Sequence, residues 1–196
     1  MTFIYVLLAV LAAVLLWGVS VYNFFVSNKA RIKASVQEIG NQLKRQADLI
    51  PNLEASAKGY MKHEKGIFRD LTEARMAVTN AIKSGNVQKM SDAGSRVAAL
   101  VPQLQVLVES NPQLQAAGVV TGLMDELRDT ADKVMYARRL LIDLTADYNV
   151  KLATFPSSIV AGMFGFTEQA GLITPDDGEA TSVSSAEMKS PKIDLE

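Results

Sequence analysis

The sequence predicts an all-α chain. It reads as an N-terminal transmembrane helix, an antiparallel up-and-down four-helix bundle and a disordered acidic tail. Three observations predict this. No charged side chain precedes Lys29. From Ile32 to Leu152, apolar residues recur at alternating steps of three and four, the spacing of a bundle seam. Beyond Glu168 the chain becomes rich in Ser, Thr, Pro and Asp and poor in large apolar groups. The organisation expected is an anchor over 1–28, a helical bundle over 29–167 and a tail over 168–196.

The anchor comes first. Phe3 to Val26 is an apolar run of 24 residues. As a helix it is about 36 Å long, against a hydrocarbon core of about 30 Å, so a slightly tilted span fits. Trp17 and Tyr22 suit one interface and Tyr5 the other. A cleaved signal peptide is the competing reading. It needs a basic n-region and a small-residue cleavage site, and neither is present. Lys29, Arg31, Lys33, Lys44 and Arg45 follow the span, against Glu38 alone. The positive-inside bias therefore predicts a single-pass inner-membrane protein with its N-terminus outside and its bundle in the cytoplasm.

Four apolar stripes define the bundle. The first is Ile32, Val36, Ile39 and Leu43. The second runs from Leu53 through Tyr60, Ile67 and Leu71 to Ala81. The third runs from Met90 through Val97 to Leu107, and the fourth from Val120 through Val134 and Leu141 to Leu152. Ser84-Gly85-Asn86 supplies a glycine for a helix end and an asparagine to cap the next helix. Asn111-Pro112 is a cap followed by proline at the first helical position. Phe155-Pro156 ends the fourth helix. At Pro51 two readings compete. A turn is favoured, since an interior proline costs about 3 kcal/mol and Asp48 can cap. A kinked continuous helix is the other, since Ile50 and Leu53 keep the apolar phase across the proline.

An even number of antiparallel helices returns the chain to the membrane. There 153–167, ATFPSSIVAGMFGFT, carries no charge. It is too short to span and is expected either in the interface or as a plug at the bundle's base. Two charges fall on apolar seams. Arg138 is expected to pair with Asp70 or Glu73, and Glu64 to find a basic or hydroxyl partner elsewhere.

Composition removes most chemistry. The chain has 196 residues, no cysteine and one histidine, His63. Disulfides, thiolate sites and paired-histidine sites are excluded. His63-Glu64 opens an HExxH-like string, but position 67 is Ile67. No phosphate-binding or dinucleotide loop and no nucleophile elbow occurs. No catalytic, cofactor-binding or metal residue is expected, and no cofactor. The charge is +4 over 29–152 and −5 over 153–196, netting −1. No nucleic-acid partner is expected from that balance.

Gln42-Leu43-Lys44-Arg45-Gln46-Ala47-Asp48-Leu49-Ile50-Pro51-Asn52-Leu53 resembles the signature of the LemA family. Lys58-Gly59-Tyr60 and His63-Glu64 match its continuation. Tyr22-Asn23 matches the end of its anchor. Ala137-Arg138-Arg139, Tyr148-Asn149, Phe155-Pro156 and Gly165-Phe166 match its later series in order. Asn111-Pro112, Asp132-Lys133 and Leu140-Leu141 depart from its usual residues. The resemblance implies a bacterial membrane protein with a cytoplasmic helical bundle and no established catalytic activity. Two functions fit. One is a non-enzymatic, membrane-anchored interaction or scaffold protein. The alternative is an oligomeric membrane-remodelling or assembly protein. The partners expected are the lipid bilayer, an unidentified membrane or cytoplasmic protein, and further copies of the chain.

Overall fold

The computed structural model describes residues 1–57 and 65–173. Six helices make up these residues: α1 Thr2–Ala57, α2 Lys65–Ser84, α3 Val87–Ser110, α4 Pro112–Ala116, α5 Gly118–Ala153 and α6 Ser157–Met163. No strand occurs among them. The bundle consists of the C-terminal half of α1 with α2, α3 and α5.

The capping chemistry read from the sequence sets two of the connections. Gly85 takes φ +63°, a conformation that suits glycine, and closes the turn after α2. Asn86 accepts a hydrogen bond from the Lys89 N–H at 2.9 Å and opens α3. Asn111 accepts from Gln113 N and Leu114 N, with Pro112 at the first position of α4. A break at Ala117 then separates α4 from α5. The fourth helix of the bundle therefore starts at Gly118, not at Pro112.

The turn expected at Pro51 is not there. α1 runs unbroken through the proline to Ala57. The physical reason lies in two compensations. Ile50, Leu53 and Ala57 lie on the buried stripe, each with at most 3% of its surface exposed. Full burial of Ile50 and of Leu53 contributes about 1.5–3 kcal/mol each, enough together to offset an interior proline. Proline also lacks the N–H that would bond the carbonyl four residues earlier, that of Ala47. The Arg75 Nε–H from α2 donates to that carbonyl at 3.2 Å. The defect in one helix thus becomes a tie to the next.

α1 and α5 pack along most of their shared length, antiparallel. Phe25 meets Tyr148 edge-on, the Ser35 hydroxyl donates to the Ala137 carbonyl at 2.8 Å, and Arg45 pairs with Glu126. Each ten-residue step along α1 thus matches an eleven-residue step back along α5. α2 packs on α1 and α3, and α3 on α5, closing the ring. At the centre Gly94 lets three helices approach. A Cβ there would stand 2.9 Å from Val134 Cγ1 and 3.3 Å from Leu43 Cδ2.

Arg138 does not pair with Asp70 or Glu73. Its Nη1 donates to the Ser95 hydroxyl of α3 at 2.8 Å. Asp70 and Glu73 instead face Arg69 on their own helix, at 3.7 and 3.8 Å. α1 runs through Asn52 to Ala57, so the second helix does not start there. α2 also sits diagonally from α5 in the ring, so its carboxylates are not at hand. Glu64 and His63 lie outside the described residues.

Candidate interaction site at the foot of the bundle

The first two-thirds of the apolar run makes few contacts. An 18-residue window of α1 has a mean hydropathy of 2.6, and its side chains are almost all exposed. Length and composition suit this stretch to a membrane span. Burial begins at Val21 and Phe25, where the returning chain arrives.

α5 stops at Ala153, and the Ser157 hydroxyl donates to the Lys151 carbonyl at 2.7 Å across the bend. α6 then lies against the anchor. Val160 and Ala161 are buried, while Ile159, Met163 and Phe164 remain largely exposed. A groove of about 520 Å³ separates the two helices, walled by Val14, Trp17, Gly18, Ile159, Met163 and Phe164 among others. Gly165, at φ +68°, ends the segment and turns the chain. Phe166 then stacks on Phe25 with ring centres 4.9 Å apart, and Phe164 meets Tyr22 edge-on at 4.8 Å. Lys151 Nζ sits 4.5 Å above the Phe24 ring. Of the two places expected for 153–167, these contacts favour the one at the bundle's base. The segment's exposed apolar side chains lie beside the anchor's own.

Beyond Thr167 the structure departs from expectation. The tail was expected to be disordered from 168. Residues 168–173 instead run extended along the bundle. Asn149 Nδ2 donates to the Gln169 carbonyl at 2.9 Å, and the Gln169 N–H donates to Asn149 Oδ1 at 3.0 Å. Gln88 Nε2 donates to the Ile173 carbonyl at 3.3 Å, and the Ile173 N–H donates to Gln88 Oε1 at 2.9 Å. Leu172 packs against the core. Composition missed this because two side-chain amides and one leucine hold the segment, and no apolar stripe announces them. Asn149 carries the signal in the Tyr148-Asn149 pair. Gln88 carries none. The rest of the tail, 174–196, lies outside the described residues.

Among the described residues, no group of three or more His, Asp or Glu side chains converges to hold a metal ion. Most side chains with charge lie on exposed faces. The Arg45–Glu126, Arg128–Asp125 and Lys133–Asp129 pairs are all half open to solvent. Such pairs contribute at most about 1 kcal/mol each.

The fold and this foot define a class: a helical bundle carried on a long helix whose free end is apolar enough to enter a membrane. The model of the LemA family matches residues 35–184, most of the chain, and the chain belongs to that family. The match covers the bundle, the foot and the extended segment. No curated protein matches the chain.

Proposed function

We propose that this chain is a non-enzymatic, membrane-anchored interaction protein of the LemA type, with α1 crossing the inner membrane and the bundle standing in the cytoplasm. One observation carries the reading: α1 continues without a break from its exposed apolar half into the bundle core. A single helix then fixes the bundle's height and rotation relative to the bilayer. That geometry suits a module presenting side-chain faces to a partner at a set distance from the membrane. The cations between Lys29 and Arg45, with Glu38 the only acid among them, favour the cytoplasmic side.

Oligomeric assembly is the second reading, and exposed apolar groups on α5 favour it. Tyr136 is 71% and Val150 61% exposed. A photo-crosslinking residue at Tyr136, activated in native membranes, separates the two. The scaffold reading expects adducts to one discrete foreign protein and a detergent-extracted monomer or dimer. Adducts confined to further copies, with a large uniform particle in detergent, would reverse the preference. The absence of a cysteine allows the topology to be read as well. With Ala55→Cys, a membrane-impermeant maleimide should fail to label intact cells and should label them once permeabilised.

A further inference from the structure

Residues 168–173 lie where the bundle is thinnest. Gly94 of α3 stands beside Val134 of α5. Gln88, six residues earlier on α3, therefore lies near the level of residue 140 of α5, about 9 Å closer to the anchor. Tyr148, which meets Phe25 at the anchor's edge, is about 12 Å farther on. Over that interval α2 and α3 are absent and only α1 and α5 form a stem. The extended segment covers it.

The fit is regular. From Asn149 to Thr145 the helix rises about 6 Å. From Gln169 to Gly171 an extended chain advances about 6.6 Å. Gly171 accordingly meets Thr145, whose Oγ1 would lie 3.1 Å from a Cβ at position 171. Two residues farther on, Ile173 reaches Gln88. Each carboxamide grips both the N–H and the C=O of one residue, as a neighbouring strand would. The Gln88 amide is itself held, donating to Asp92 Oδ1 at 3.0 Å. The backbone, more than any side chain, is what this face recognises.

We propose that the stem face between Asn149 and Gln88 is a binding site for an extended peptide, filled at rest by the chain's own residues 168–173. The ligand class is a strand-like segment with a glycine opposite Thr145 and an apolar residue next after it. A partner's segment of that kind competes with the chain's own for the same two amides. The site rests on the face alone and holds whether or not the chain is a scaffold.

Amide hydrogen exchange on the full-length protein in detergent tests the resting state. The N–H groups of Gln169 and Ile173 should exchange at least about tenfold more slowly than in a free peptide spanning 166–175. Asn149→Ala should release Gln169, and Gln88→Ala should release Ile173. Free-peptide rates at both positions in the unaltered protein would overturn the proposal. Protection that falls on dilution would assign the segment to a second copy and overturn the intramolecular filling. A second arm tests the site itself. Gly171→Val crowds Thr145 and should free the face. A fluorescent 166–175 peptide should then bind that variant saturably, and bind it at least about tenfold more weakly when Asn149→Ala and Gln88→Ala are added. A released segment with no peptide binding would mean that the face is not a peptide site.

Discussion

Tyr148 shows how one buried polar residue ties the foot to the bundle. Its ring is fully buried and edge-on to Phe25 at 5.2 Å, and its hydroxyl has no hydrogen-bond partner among the described residues. Burial raises its pKa above the ordinary value of 10.0, because the phenolate would lose its hydration. The sign of the pH effect follows. In the unfolded chain the phenol loses its proton near its ordinary pKa, while the folded chain holds it to higher pH. Stability is therefore intact below about pH 10 and falls as the pH rises through the folded value. Melting of the unaltered protein should drop more steeply above pH 10 than melting of Tyr148→Phe, which has no proton to lose. Parallel curves for the two would show that the phenol is open to solvent. Gln46 is a related case, fully buried with both amide atoms lacking partners among the described residues. Each such group costs about 1–3 kcal/mol.

At the scale of the element, Pro51 is the instructive case. The Ala47 carbonyl that it orphans is taken by Arg75, so the two residues act as a unit. Arg75→Ala should cost about 1–2 kcal/mol in the natural background. In Pro51→Ala the helix can supply its own N–H to Ala47, and the same Arg75→Ala change should then cost only a few tenths. A double-mutant cycle read by thermal melting measures the difference. Additive effects would show that the Arg75 bond is incidental.

Element by element, what could be read from the residues depended on how local the cause was. Gly85, Asn86, Asn111 and Pro112 act within one turn of themselves, and each connection they mark is found. The stripes Ile39–Leu43 and Val134–Leu141 report burial directly, since a helix must hide its apolar face. Pro51 depended on an arginine 24 residues away, which no local rule connects to it. The pairing of Arg138 with Ser95 depended on which helices are diagonal. The extended segment depended on two amides, one 20 and one 85 residues distant. The foot was legible as an uncharged stretch returned to the anchor's side of the bundle. The anchoring aromatics, Phe166 on Phe25 and Phe164 on Tyr22, needed the fold to bring them together.

At the scale of the whole molecule, α1 is one continuous rod. It begins as an exposed apolar helix, becomes the seam of the bundle at Phe25 and ends beyond Pro51. α5 braces it over most of that length, and the foot closes on it where the cations begin. On the proposed membrane-anchored reading, a partner of the bundle is held at a defined distance from the bilayer. The lack of cysteine makes a direct distance measurement simple. Ser27→Cys and Ala55→Cys place spin labels on exposed positions just after the apolar run and past the proline. In lipid nanodiscs, pulsed dipolar spectroscopy should give one narrow distribution near 42 Å, the length of 28 helical residues. A chain that turned back at Pro51 would bring the labels within about 30 Å, and that distance, or a broad distribution, would contradict the account.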